Sequence, residues 1–285
     1  MKIDLVKYIT EPGDKINEDC IGFGENFGLL LDGSTGLRKG IIPGEISDAK
    51  WFVESFRDIM IRDIKKQKPL IDIVRHGISK MEEKFKILAL ADIDKVDKPS
   101  ASMVLIRKQD DNLEIVSLGD CTILIEKADG EIIKIYDDSV SKLDKIILRK
   151  MVKISKEKRI SVSEAKKSVS EDLIRNRYKK NTKDGYWILG FNKEAADYAY
   201  YKKWCLNEIK SLCFFSDGFG DFYESMTLAE DYQEFYSILK KAEINEMYNR
   251  LREKQQEDYD CNQHPRLKDK DDASILFFSV KREIP

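Results

Sequence analysis

The chain has 285 residues, of which 42% are hydrophobic and 36% are charged, and its net charge is −2. This length allows one large domain or two small ones, and no apolar run approaches the roughly 18 residues of a membrane span. Five cysteines without CxxC spacing argue against a disulfide framework and against a zinc site. The start of the chain lacks the long apolar stretch of a secretory signal, so we expect a cytoplasmic protein.

The apolar pattern predicts strands towards both ends of the chain and helices between them. In chain order, we expect a buried strand at 27–31, two amphipathic helices after it, strands at 102–107, 113–118, 122–127 and 131–136, helices within 141–183, a buried strand at 212–216, helices around 228–255 and a strand at 274–280. Asp129-Gly130 predicts a tight hairpin between two of these strands. Strands at both ends, with helices inserted, favour one α+β sandwich over alternating βαβ units.

The two helices after the first strand have clear apolar faces. The first begins after a possible N-cap, Ser47, and the second follows Pro69. The face of the first helix consists of Phe52, Val53, Phe56, Ile59 and Met60. Spacing of this kind predicts that both helices cover a sheet.

Residues 141–183, here called the basic segment, contain 15 Lys and Arg against 5 Asp and Glu. This excess of ten positive charges leaves a net charge of −12 on the rest of the chain. A solvated surface is one interpretation, and a platform that attracts phosphorylated partners is the other. Tyr178 is its one aromatic residue, which disfavours nucleic-acid binding. Its apolar residues at helical spacing are Leu143, Ile146, Ile147, Met151 and Ile154.

Acidic motifs lie where predicted strands end or begin. Asp32-Gly33 and Asp217-Gly218 each end a buried strand, Glu18-Asp19 lies near the start of the chain, and Asp271-Asp272 precedes the last strand. An isolated Asp-Gly is most often a turn, but carboxylates that converge from several strand ends repel one another unless cations neutralise them. With almost no histidine available, such carboxylates suit hard divalent cations. The joint pattern therefore predicts a dinuclear metal centre.

The order of these motifs resembles the type 2C (PPM) metal-dependent serine/threonine protein phosphatases, and the likeness spans nearly the whole chain. The motifs that carry it are Asn17-Glu18-Asp19, Asp32-Gly33, Gly119-Asp120, Ser216-Asp217-Gly218 with Asp221, and Asp271-Asp272-Ala273-Ser274. The segment from Gly185 to Leu189 is similar to bacterial members. The resemblance implies a single domain over 1–285, built as a four-layer α-β-β-α sandwich of two facing antiparallel sheets with a metal site at one edge. It also places a flap-like insertion at about 141–204.

The resemblance further implies two Mg²⁺ or Mn²⁺ ions. Asp32 would bridge both ions, and Gly33 would contribute its carbonyl. Asp217 and Asp271 would hold the first ion, and Glu18 would hold the second through water. Asp120, with Asp217 and Asp221, matches a third, weaker site. The implied reaction is attack of a metal-bridging hydroxide on phosphoserine or phosphothreonine, with Asp32 and Glu18 as the catalytic residues.

The chain departs from the family at three places. Ser34-Thr35-Gly36 stands where the family often has His-Gly-Gly, and we expect surface or packing roles for His76 and His264. Asp14 stands where an arginine usually grips phosphate, so Lys15, Arg175 or Arg177 is expected to do this. Asp272 replaces the usual Asn, which leaves open whether Asp271 or Asp272 binds metal.

Two functions from different classes remain open on the sequence. The expected one is a monomeric, metal-dependent phosphatase that acts on a phosphorylated protein and binds neither nucleic acid nor membrane. The alternative is a pseudophosphatase, a phosphoprotein-binding module that retains the fold and the metals. Retention of the metal carboxylates favours the enzyme, and loss of the family's His and Arg favours the alternative.

Overall fold

A computed structural model describes residues 1–88 and 93–281. The strands are β1 (Lys2–Glu11), β2 (Cys20–Gly24), β3 (Phe27–Ser34), β4 (Ser100–Gln109), β5 (Asn112–Leu118), β6 (Thr122–Lys127), β7 (Ile132–Ile135), β8 (Tyr200–Cys205), β9 (Ile209–Phe215) and β10 (Ala273–Lys281). The α-helices are α1 (Asp48–Asp63), α2 (Leu70–Leu88), α3 (Ser139–Lys158), α4 (Val162–Ala165), α5 (Ser170–Arg177), α6 (Asp217–Glu224), α7 (Tyr232–Lys241) and α8 (Ile244–Glu257). Short 3₁₀ helices cover Lys166–Val169, Lys193–Tyr198 and Leu206–Glu208.

The strands form two five-stranded antiparallel sheets, ordered β1-β10-β9-β6-β7 and β2-β3-β4-β5-β8. Alternation along β3 shows how they are stacked, because Leu30 packs between the sheets while Leu29 and Leu31 pack under α1 and α2. In β9, Phe214 likewise faces the other sheet, while Phe215 faces α6–α8. The predicted four-layer α-β-β-α sandwich is confirmed.

Local signals account for two of the element boundaries that the sequence predicts. Ser47 caps α1 by accepting a hydrogen bond from Lys50 N at 3.3 Å, as predicted. Gly130, with φ +91°, makes the turn between β6 and β7 in the left-handed region that favours glycine. The apolar faces predicted for α1 and α2 are buried in the layer beneath the second sheet.

Three strands do not appear in the sequence prediction. The register of β1 shifts between Leu5 and Lys7, which breaks the alternation that reveals a strand. β2 is short, and β8 is a polar edge strand that pairs with β5. Because β8 covers Tyr200–Cys205, the end of the predicted 141–204 insertion belongs to the second sheet.

The basic segment folds into α3, α4, a 3₁₀ turn and α5 around a small core of its own. Of the predicted apolar stripe, Ile147 and Met151 are buried in that core, whereas the Ile146 side chain is 60% exposed. Cys261, from the chain that leads to β10, completes the core. The basic segment therefore rests on the same stretch of chain that carries Asp271.

Candidate metal centre

The sheet topology brings the acidic motifs to one edge of the sandwich. β9 and β10 are antiparallel neighbours with Phe215 opposite Ile275, so Asp217 after β9 and Asp271 before β10 lie at the same end. Asp32 lies near the end of β3 opposite Ser102 of β4. Since the two sheets face each other, this carboxylate meets the other two across the sandwich.

Two glycines allow the backbone segments at this edge to lie unusually close. A Cβ on Gly218 would lie 2.0 Å from the carbonyl oxygen of Asp272, and a Cβ on Gly33 would lie 2.3 Å from that of Glu18. Any side chain at either position would force the segments apart. Gly33 and Gly218 thus have a packing reason, and a turn alone does not explain them.

The carboxylates are close enough to disturb one another's ionisation. Burial raises the pKa of Asp32, and the charges of Asp217, Asp19, Asp120 and Asp271 raise it further. Burial, followed by the charges of Asp271 and Asp120, raises the pKa of Asp217 in the same way. The ionised carboxylates at this edge therefore repel one another, and a bound cation would reduce this repulsion.

Asp19 also lies at this edge, although the sequence analysis named it only within its motif and gave it no ligand role. Burial, with the charges of Asp271 and Asp272, raises its pKa to about 7. Its Oδ2 atom is buried and has no hydrogen-bond partner among the described residues. Cys20 of β2 pairs with Leu31 of β3, which brings Asp19 beside Asp32. Recognition of β2 as a strand would have pointed to Asp19.

Glu18 lies at the border of the acidic edge in a different environment. Its Oε1 atom accepts hydrogen bonds from the hydroxyl groups of Thr35, at 2.6 Å, and Ser47. Its backbone N–H donates to Asp272 Oδ2 at 2.6 Å. One side of the Glu18 carboxylate is thus already occupied by hydroxyl groups.

Asp271 and Asp272 are distinguished by their hydrogen bonds. Both oxygens of Asp272 accept backbone N–H groups, from Gly13 at 2.7 Å and from Glu18, so this side chain fastens the N-terminal loop. The Asp271 carboxylate instead contacts Lys268 Nζ at 2.5 Å and contributes to the raised pKa values of Asp32 and Asp217. Of the two, Asp271 belongs to the carboxylate group.

Asp120 and Asp221 lie at the margins of this group and are held by neighbouring side chains. Ser102 Oγ donates to Asp120 Oδ1. The Asp221 carboxylate accepts hydrogen bonds from Ser225 Oγ at 2.5 Å and Gln255 Nε2 at 3.1 Å, and burial raises its pKa to about 6. Across residues 1–88 and 93–281, no three acidic, His or Cys side chains already surround a single metal position.

The three basic residues predicted to grip phosphate occupy different places. Arg177 extends from α5 and donates to the Thr35 carbonyl oxygen at 2.6 Å, next to the Glu18 carboxylate. Arg175 is 69% exposed and forms an ion pair with Asp172 of its own helix. Lys15 is exposed on the N-terminal loop. Arg177 is therefore the member of this set that reaches the acidic edge from the basic segment.

The two histidines lie where the sequence analysis expected. His76 is half exposed on α2, with Nε2 3.8 Å from Asp63 Oδ2. His264 has Nδ1 2.8 Å from the Ser225 carbonyl oxygen. Surface and packing contacts account for both side chains.

No protein-family model and no curated protein matches the sequence of this chain. Solved structures do match its fold. The serine/threonine phosphatase PstP/Ppp of Mycobacterium tuberculosis matches with a TM-score of 0.60 at 15% identity, over 99% of this chain and 100% of that chain. The fold is that of the type 2C serine/threonine phosphatases.

Other solved phosphatase structures also match the fold of this chain. Stp1 from Staphylococcus aureus matches with a TM-score of 0.54 at 14% identity, over 97% of this chain and 94% of that one. The catalytic domain of PstP, solved in complex with two manganese ions, matches with a TM-score of 0.56 at 16% identity, over 99% of both chains. At identities of 14–16%, these structural matches show the fold alone. They confirm the resemblance predicted from the motifs at the level of the fold.

None of the helices within the described ranges combines the length and the apolar character that a membrane span requires.

Proposed function

We propose that this protein is a Mg²⁺- or Mn²⁺-dependent phosphatase that hydrolyses phosphoserine and phosphothreonine in proteins. The observation that carries the proposal is the convergence of Asp19, Asp32, Asp217 and Asp271, from separate segments, at one edge of a type 2C fold. Solved proteins of this fold include serine/threonine phosphatases, one of them in complex with two manganese ions.

The residues at this edge fit hard divalent cations. Its side-chain donors are carboxylate oxygens, and Mg²⁺ and Mn²⁺ prefer oxygen ligands. The unpartnered, buried Oδ2 of Asp19 is a donor atom that a cation would satisfy. Cations would also relieve the repulsion that raises the pKa values of Asp32 and Asp217.

We assign the ligands as follows. Asp32 would hold both cations and Gly33 would add its carbonyl oxygen, while Asp217 and Asp271 would complete the first position. Glu18 would serve the second position, and Asp19 would join the set because of its burial beside Asp32. Asp120 and Asp221, which are already hydrogen-bonded, would serve a third and weaker position.

When bound, the cations supply a water-derived nucleophile at neutral pH and stabilise the charge that develops on the phosphate. The chain's own residues hold the donors rigidly at strand ends and admit the substrate beside the basic segment. Arg177 of the basic segment lies next to Thr35. The excess positive charge of the basic segment attracts a phosphorylated protein towards an otherwise acidic edge.

Hydrolysis of p-nitrophenyl phosphate with Mn²⁺, and then with excess EDTA, tests this function. We expect turnover that EDTA abolishes and that added Mn²⁺ restores. Absence of metal-dependent turnover from about pH 6 to about pH 9 would contradict the enzyme. If the protein then bound Mn²⁺ and a phosphopeptide without hydrolysing it, the pseudophosphatase would be the correct assignment.

A further inference from the structure

Lys268 lies against the acidic edge and is not part of the assignment above. Its Nζ atom is 2.5 Å from Asp271 Oδ2. The ammonium group therefore lies at the acidic edge, in direct contact with one of the carboxylates that we assign to the metal.

The backbone around Lys268 is held in place by the buried side chain of Arg266. Arg266, which is 5% exposed, forms an ion pair with the buried carboxylate of Asp258 at 2.7 Å. The same guanidinium donates from Nε to the Asp269 carbonyl oxygen at 3.0 Å and from Nη1 to the His264 carbonyl oxygen at 2.8 Å. The chain is thus anchored on both sides of Lys268.

The side chain of Lys268 itself is accessible to a ligand. It is 56% exposed, in contrast to Arg266 beneath it. A lysine is a flexible arm that ends in a compact charge, and it commonly binds phosphate oxygens. An exposed lysine side chain on a backbone that is held in place is suited to contact a substrate phosphate.

We propose that Lys268 binds the phosphate group of the substrate and supplies the positive charge that Asp14 cannot supply from the N-terminal loop. The proposal rests on the proposed function. A phosphate that approaches the carboxylates of Asp32, Asp217 and Asp271 meets a strongly negative edge, and Lys268 contributes a cation there. Lys268 also competes with a metal ion for Asp271 Oδ2, so metal loading frees its ammonium group for the phosphate.

Lys270 provides a matched control two residues away. It belongs to the same charged run, but its Nζ donates to Gln256 Oε1 at 2.8 Å. Substitution of either lysine by Met removes one positive charge and retains a side chain of similar length. General changes in the charge of the loop affect both variants, whereas contact with phosphate affects Lys268 alone.

The experiment measures two affinities by calorimetry for the wild type, Lys268→Met and Lys270→Met. In Lys268→Met, the affinity of the Mn²⁺-loaded protein for inorganic phosphate should fall about tenfold or more, since a charge-assisted contact is lost. The affinity of the EDTA-treated, dialysed protein for Mn²⁺ should rise about threefold, because the competing ammonium is gone. Lys270→Met should change each affinity by less than about twofold.

Opposite changes in the two affinities separate ligand binding from structural damage, which lowers both. Lys268→Arg should keep phosphate affinity within about threefold of the wild type. Unchanged phosphate affinity in Lys268→Met, in a protein whose wild type hydrolyses p-nitrophenyl phosphate, would overturn the role of Lys268 and leave the proposed function intact. Loss of phosphate affinity without wild-type turnover would support Lys268 while contradicting the enzyme.

Discussion

The acidic edge and the basic segment lie side by side, but the fold holds them by different means. Asp19, Asp32 and Asp217 adjoin or belong to strands in the middle of a four-layer core, and close backbone packing fixes their positions. In the basic segment, α5 has no buried residue, and the small core beneath it includes few side chains. Under the proposed function, we expect the rigid edge to serve the chemistry and the exposed helices to serve the choice of substrate.

The largest expected effect is at Asp32. Asp32→Asn removes the charge that we assign to both metal positions, so p-nitrophenyl phosphate hydrolysis should fall by at least about 100-fold. Asp129→Asn is the matched control, because Asp129-Gly130 is an exposed turn between β6 and β7. Both variants should remain folded. Two metal ions bound by Asp32→Asn with unchanged affinity would show that the bridging assignment is wrong.

The next largest effect is expected on Mn²⁺ affinity, for which the neighbouring residues Asp19 and Glu18 can be compared. Asp19→Asn should weaken Mn²⁺ binding about 100-fold, whereas Glu18→Gln should weaken it by about tenfold or less. The reason is that Asp19 is buried beside Asp32 with a free oxygen, while Glu18 already binds Thr35 and Ser47. Calorimetric titration with Mn²⁺ measures both. A larger loss in Glu18→Gln would restore the assignment made from the sequence.

A smaller effect is expected across the basic segment, where Arg175 is the natural control for Arg177. Arg177→Ala should raise KM for a phosphopeptide about tenfold and leave KM for p-nitrophenyl phosphate nearly unchanged. Arg175→Ala should change either KM by less than about twofold, because its side chain is 69% exposed and pairs with Asp172 of the same helix. Both KM values come from steady-state kinetics. Equal effects of Arg177→Ala on both substrates would place that side chain at the phosphate itself.

The smallest effect is on stability and depends on pH. Asp19 and Asp221 have pKa values raised from 3.8 to about 7 and about 6 in the folded protein. The folded state therefore binds their protons more tightly than the unfolded state, and the free energy of unfolding falls as pH rises between about 4 and about 7. With EDTA, the melting temperature should be higher near pH 5 than near pH 8.

Mn²⁺ should reverse this loss near pH 8, since it stabilises the ionised carboxylates. The variant Asp19→Asn should show a weaker pH dependence with EDTA, because it lacks one of the carboxyl groups whose pKa is raised in the folded protein. A melting temperature that rises steadily with pH in the wild type would contradict the crowding of charge at this edge.

Much of the fold follows from local sequence. The apolar runs before Asp32 and Asp217 specify buried strands wherever they lie in space, and Asp129-Gly130 specifies a hairpin through its backbone preference alone. The amphipathic helices α1 and α2 are predicted by periodicity for the same reason. Strand β1 was missed because a shift in register disturbs its alternation.

The details of the site depend on contacts between distant parts of the chain. Both carboxylate oxygens of Asp272 are occupied because they accept the backbone N–H groups of Gly13 and Glu18, more than 250 residues earlier. Arg177 and Arg175 differ in their contacts, because Arg177 donates to the Thr35 carbonyl oxygen whereas Arg175 pairs with Asp172 of its own helix. The sequence by itself determined which carboxylates end the strands, since apolar periodicity is local. The tertiary structure alone decided where neighbouring side chains point, because that depends on the partners that folding brings to them.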